Sequence, residues 1–210
     1  MYLKEGGKPR VLFYCGHLAH FHLIKNSASN LQKKGYFVKI AIKSKDVLED
    51  LVQDFGIPYY KISNLTSSKR MIKYFDAITR LINYAIYIKR KQFDLLVGTS
   101  WENSQIGDFL SIPSICLNED DVDVVPLFAR NAYPKAHEII TPVSCRVGEF
   151  EVKTIKIHSF HELAYLHPNN FTPYIIAAEK YIDSSKPYFI IRFENYQPIT
   201  TMVFPELMIK

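Results

Sequence analysis

Five short runs, "RVLFYC" at 10–15, "YFVKIAI" at 36–42, "DLLVGT" at 94–99, "PSICL" at 113–117 and "HEIITP" at 137–142, are predominantly apolar, and helix-length segments separate most of them. A strand that is apolar on both faces has to be covered on both, which a hairpin with one wet face does not require. Strands of that kind alternating with helices call for a parallel sheet with helices packed on each side. The expected fold class is therefore α/β, a doubly wound, Rossmann-like parallel sheet.

The helices can be placed from their periodicity. Residues 20–34 carry Ile24, Ala28 and Leu31 at i, i+4, i+7 and end at Gly35. Ser44 is expected to cap a helix bearing Val47, Leu48, Leu51 and Val52, and "PYYKI" supplies a further strand. The longest helix is expected over 67–91, with Met71, Phe75, Ile78, Ile82 and Ala85 toward the sheet and Lys73, Asp76, Arg80 and Asn83 toward water. Helices near 101–110 and 122–132 separate the later strands, and "KTIKI" at 153–157 adds one more.

The rest of the chain divides differently. Residues 1–157 read as the Rossmann-like domain. "HSFHELAYLHPNNFTP" at 158–173 has no clean period and reads as a linker. Residues 174–210 read as the opening of a second α/β unit, whose strand "KPYFIIRF" at 186–193 has no visible partner; a lone strand is not stable.

Composition narrows the function classes. The chain is 48% hydrophobic and 22% charged, with a net charge of +5 that is not gathered with aromatics onto one face. That argues against nucleic acid and suits an anionic substrate or a membrane-surface edge. No run approaches the roughly 18 apolar residues of a membrane span, and the N-terminus lacks a signal-peptide core, so a cytoplasmic protein is expected. Cys15, Cys116 and Cys145 are read as free thiols. G-x-G-x-x-G, the phosphate-loop motif and G-x-S-x-G are all missing, which removes the usual dinucleotide, nucleotide-hydrolase and serine-hydrolase signatures.

Ligands of open parallel sheets sit at the carboxyl ends of strands, beside helix N-termini. Three loops qualify. "CGHLAHFH" offers Gly16, His17, His20 and His22. "GTSWENS" offers Ser100 as a helix cap with Trp101 and Glu102 at the mouth. "LNEDDVD" offers Glu119, Asp120 and Asp121 ahead of a helix, whose dipole they would also complement. The histidine spacings of three and two match no zinc pattern, and no acidic or cysteine ligand stands near, so no metal is expected. Two readings of the loop stay open: a base near neutral pH, with the glycine letting a ligand approach the backbone, or a polar loop whose histidines bond only to the backbone.

Taken together, "GHLAHFHLIKN", "GIPYY", "IPSICLNEDD" and "HELAYLHPNNFTP" resemble the family catalogued as domain of unknown function 354, over residues 10 to about 195. The resemblance implies a GT-B-like architecture, two Rossmann-like domains facing across a cleft, similar to metal-independent nucleotide-sugar glycosyltransferases and UDP-N-acetylglucosamine 2-epimerases. It implies that this half holds a hydroxyl acceptor while the other holds the nucleotide sugar, without a separate cofactor. His17 matches the position of an acceptor-activating base, with His20 second. Gly16, Ser100, Trp101, Glu119, Asp120, His161 and Glu162 are the expected substrate-side residues. A place in surface-polysaccharide synthesis follows from the same analogy, while peripheral contact with a membrane surface is suggested by the positive charge. A nucleotide-sugar 2-epimerase and a non-catalytic binding domain are the alternatives.

The chain departs from the family at its end. In the family the strand ending in "RF" leads to a His-His-Asp-x-Gly-like segment, where this chain has "PITTMVFPELMIK". Back-translated with suitable synonymous codons and read two bases later, that tail gives His-His-Asp-Tyr-Gly. The expectation is a frameshift near Tyr196 to Pro198, with the tail from about 198 out of frame and the chain inactive alone.

Overall fold

A computed structural model describes residues 8–43, 47–62, 70–183, 186, 187, 189 and 191, the side chains of 70–76 excepted. Seven strands form one wholly parallel sheet: β1 (Arg10–Cys15), β2 (Phe37–Lys43), β3 (Tyr59–Ile62), β4 (Leu95–Gly98), β5 (Ser114–Leu117), β6 (Glu138–Pro142) and β7 (Thr154–Ile157). Their order is β3-β2-β1-β4-β5-β6-β7. The chain winds outward from β1 to β3, then crosses back to lay β4 on the other side of β1. That reversal opens a crevice above the carboxyl ends of β1 and β4.

The central strand shows why its sequence is apolar throughout. Val11, Phe13 and Cys15 point into a core built with α1 (Leu18–Lys33) and α2 (Leu48–Asp54). Leu12 and Tyr14 point into a second core under α3 (Arg70–Lys91) and α4 (Trp101–Leu110). Each large side chain so buried contributes about 2 kcal/mol. A third cluster, centred on Tyr133 and Ile139, packs α5 (Pro126–Ala132) and a 3₁₀ segment (Gly148–Lys153) against the far strands.

α1 begins two residues earlier than its apolar period suggests, because His17 takes the extended N-cap conformation. It buries Phe21, Ile24 and Ala28 and ends at Gly35, whose φ of +81° suits glycine. In α2 the expected stripe loses Val47, which is the exposed N-terminal flank; Ser44 lies outside the described residues.

The face of α3 is corrected. Ile78 and Ile82 are 54% and 52% exposed, while Tyr84 and Ile88 are buried, with Leu81, Ala85 and Tyr87 packed beside them. The helix carries two overlapping apolar stripes. Tyr84 goes inward because its hydroxyl finds a buried partner, donating to Asn103 Oδ1 at 2.8 Å. Met71, Phe75, Lys73 and Asp76 have side chains outside the described set.

The helix expected near 122 starts only at Pro126, so Glu119, Asp120 and Asp121 do not lie in its first turn. Asp121 instead accepts from the Arg146 backbone N–H at 2.8 Å and pairs with its guanidinium at 3.0 Å. After β7 the chain forms α6 (Leu163–Leu166) against α1, then α7 (Ile175–Glu179). The described residues of 186–193 pair with no strand, and Phe189 is 92% exposed. The others, with the tail from 192, lie outside the described residues. Among the described residues no helix is long and apolar enough to cross a membrane.

Candidate functional site

The crevice between β1 and β4 gathers residues from three loops and the segment after β7. From β1 come Gly16 and His17, and from the first turns of α1 come His20 and His22. Close approach at Gly16 involves the chain itself: a Cβ there would stand 3.2 Å from the Tyr14 ring.

The histidines separate by what each ring nitrogen touches. The Ala19 backbone N–H donates to His17 Nδ1 at 3.3 Å, completing the α1 cap. A backbone N–H can only donate, so a neutral His17 ring carries its proton on Nε2 and faces the exposed side as a donor. His20 reaches across the crevice, with Nδ1 2.8 Å from Thr99 Oγ1 at the end of β4. Burial foremost, then the charges of His17, His161 and Lys43, push the His20 pKa down to about 4. The ring is therefore neutral throughout the physiological range. His22 points away, against Tyr165 of α6, with ring centroids 5.3 Å apart.

The loop after β5 and the segment after β7 meet at the same mouth. His161, nearly buried, lies 3.2 Å from Glu119 Oε2 through Nδ1. Burial raises the Glu119 pKa; His161 works against that rise, and the carboxylates of Glu162 and Asp120 add to it. Asp120 itself is exposed, and its backbone carbonyl accepts from Asn118 Nδ2 at 2.7 Å.

After β4, Ser100 is the α4 N-cap, accepting from the Glu102 N–H at 3.1 Å. Ser100 Oγ also donates to Glu102 Oε2, and Glu102 Oε1 pairs with Lys43 Nζ from the end of β2 at 2.9 Å. Burial alone would raise the Glu102 pKa, but Lys43 and Ser100 outweigh it, and the net shift is downward. Burial likewise disfavours the Lys43 charge, yet Tyr14 and Glu102 more than compensate and its pKa rises. The pair is ionised on both sides, closing over Tyr14.

The structure thus brings His20 to Thr99 beside the Ser100 cap and His161 to Glu119 near Glu162, with the charge of His161 felt at His20. Gly16 and His17 stand at the start of α1, and Trp101 lies at the flank beside α3. Sequence reasoning did not find Thr99 or Lys43. Thr99 stood inside the "GTSWENS" loop without a reason to prefer it. Lys43 stands 59 positions from Glu102, and no local pattern joins them. Among the described residues no group of three or more His, Cys, Asp or Glu is placed to hold a metal ion.

With this geometry the chain can be set beside known structures. No family model and no curated protein matches the sequence. A UDP-GlcNAc 2-epimerase from Neisseria meningitidis bound to UDP-GlcNAc superposes with TM-score 0.59 at 14% identity, over 81% of this chain and 50% of that one. S. aureus MnaA with UDP gives 0.57 at 10% identity, over 82% and 51%. Acinetobacter baumannii MurG gives 0.53 at 16% identity, over 66% and 44%. The chain has the fold of one half of a GT-B protein. It spans about half the length of these structures, and at such identities the likeness concerns fold alone.

Proposed function

We propose that this chain is the acceptor-side half of a metal-independent, glycosyltransferase-like enzyme that moves a sugar from a nucleotide sugar to a hydroxyl. The observation that carries the reading is the neutral His20, held to Thr99 across the switch point at 2.8 Å. If Nδ1–H donates to Thr99, the Nε2 lone pair is free for the acceptor. The acceptor O–H proton passes to His20 Nε2, the acceptor oxygen bonds the anomeric carbon, and the bond from that carbon to the diphosphate breaks. A ring this weakly basic accepts the proton only as the new bond forms. His17, whose Nδ1 serves the cap, offers Nε2–H beside the α1 N-terminus, where negative charge is favoured.

The nucleotide-sugar half is assigned to a further domain following the linker at 158–173, in keeping with the resemblance to the domain of unknown function 354 family. The exposed Tyr174, Ile175 and Ile176 at the start of α7 support this, since apolar side chains left in solvent there suit being covered. The present residues alone are expected to be inactive. Peripheral contact with an anionic membrane surface would use Ile78, Ile82 and Ile86 of α3 with the basic last turn Lys89, Arg90 and Lys91.

A second reading, a nucleotide-sugar 2-epimerase, draws on Glu119. Its raised pKa and its bond to His161 supply a second proton-exchanging group at the same mouth.

The test begins with the gene past the Lys210 codon, read in all three frames for a second Rossmann-like unit. The joined protein is then assayed with a panel of nucleotide sugars. Glycoside formation that falls at least ~100-fold in kcat in His20→Gln supports transfer. A free epimerised sugar supports the second reading. Saturable binding without turnover makes the chain a binding module and refutes both.

A further inference from the structure

Between α3 and the sheet lies a cavity of about 140 Å³ that the residues around His20 do not fill. Its walls are Tyr14 from β1, Ile62 from β3, Ala77, Leu81 and Tyr84 from α3, and Trp101 from α4. Ile78 and Trp101, both partly exposed, form its outer lip with Arg80, so the space opens to solvent. Its inner end is closed by the Lys43–Glu102 pair.

Two properties define what such a space accepts. Apart from Arg80 at the lip, its polar groups are committed to one another: Glu102 binds Lys43 and Ser100, and the Tyr14 hydroxyl is engaged by Lys43 and Ser100 as well. The Tyr84 hydroxyl donates to Asn103 Oδ1. A polar occupant would lose water and find few free partners, whereas hydrocarbon or ring surface would meet three aromatic side chains and four aliphatic ones. An apolar cavity of about 150 Å³ is large enough for a benzene-sized molecule.

The cavity neighbours the candidate site through Glu102 and Lys43. Trp101 and Glu102 follow directly on Thr99 and Ser100, and the charge of Lys43 is felt at His20.

We infer that this cavity is a subsite for a benzene-sized apolar group of the acceptor, an aryl or six-carbon alicyclic ring carrying the hydroxyl to be modified. This rests on the acceptor-side reading for the role of the hydroxyl, but the binding itself does not.

The chain has a single tryptophan, so Trp101 reports on its own cavity. Purified protein is titrated with benzyl alcohol, with glycerol as the polar control, following Trp101 emission and, independently, saturation-transfer NMR of the benzyl protons. The expected result is a saturable response to benzyl alcohol and none to glycerol. Ala77→Phe, which places a ring in the cavity, should weaken benzyl alcohol at least tenfold while the circular dichroism and melting temperature are kept. If that variant does not fold, Ala77→Leu serves with the same expected direction. A linear, non-saturating response equal in wild type and variant overturns the inference. The two readings fail separately. Saturable binding that Ala77→Phe abolishes, with no sugar transferred by the joined protein, upholds the subsite and removes the transferase. Transfer confined to polar acceptors and unchanged by Ala77→Phe upholds the transferase and removes the subsite.

Discussion

His20 allows a quantitative test of the crevice as a structured environment. Its pKa stands near 4 against an ordinary value of 6.5, with burial the main cause and the positive charges of His17, His161 and Lys43 adding to it. The folded state thus favours the neutral ring. Between these two values the unfolded chain binds more protons than the native one, so stability falls as the pH falls through that window. The contribution is fully present above the unfolded value and exhausted below the folded one. At about pH 5 the unfolded ring is charged while the native ring is still mostly neutral. The offset of about 1.5 pH units corresponds to a loss of about 2 kcal/mol, rising to about 3 kcal/mol near pH 4. Urea unfolding of wild type and His20→Gln at about pH 7.5 and about pH 5 isolates this contribution from every other acid-sensitive group. Wild type should lose about 2 kcal/mol more than the variant over that interval, while the variant starts about 1 kcal/mol lower at pH 7.5 for want of the full Thr99 bond. Replacing the neighbouring ring by His17→Gln should shrink the acid loss only in part, since burial leads. Identical pH dependence in wild type and His20→Gln would refute the assignment of a desolvated, charge-surrounded ring.

Two further outcomes test the surroundings. Gly98 has φ +156°, and a Cβ there would stand 2.9 Å from both the Tyr14 carbonyl oxygen and Tyr14 Cβ, so Gly98→Ala should cost about 3 kcal/mol in a thermal-unfolding comparison. A variant as stable as wild type would mean that β1 and β4 do not approach so closely. Lys43→Met leaves the Glu102 carboxylate buried with Ser100 and should destabilise by about 2 kcal/mol at neutral pH, below the usual range for a buried pair because the Lys43 side chain is 30% exposed. In a double-mutant cycle with Glu102→Leu most of that loss should be recovered; simple additivity of the two changes would count against the pair.

Much of the fold is decided by local pattern. "RVLFYC" can only be a strand covered on both faces, and its bounds agree with β1 residue for residue. Ser100 was recognisable as a cap because a hydroxyl ahead of a helix satisfies an otherwise free N–H. The candidate loops could be named because ligands of such sheets meet the carboxyl ends of strands, but the strand order that sets the reversal came only with the fold. What local pattern could not decide were choices between equivalent alternatives. α3 holds two apolar stripes of the same period, and only the buried Asn103 opposite Tyr84 selects which one faces the sheet. "LNEDD" could lead a helix or turn away from it, and Arg146 and His161, each distant in sequence, decide that it turns away.

The three histidines show the same division most sharply. Their presence at the end of a strand, after one glycine, is a property of the sequence, and it is enough to mark the loop. The separate jobs of the rings are not: His17 caps a helix, His20 meets Thr99 on the neighbouring strand, and His22 lies under the segment after β7. Periodicity and propensity act over a few residues, so a sequence determines elements and their polar ends. Protonation state depends on burial and on groups brought together from 23, 79 or 141 positions away in the chain, as Lys43, Thr99 and His161 are from His20. Only the folded sheet sets those distances, and so only the tertiary structure decides which imidazole is a donor, which is neutral, and which is packed out of reach.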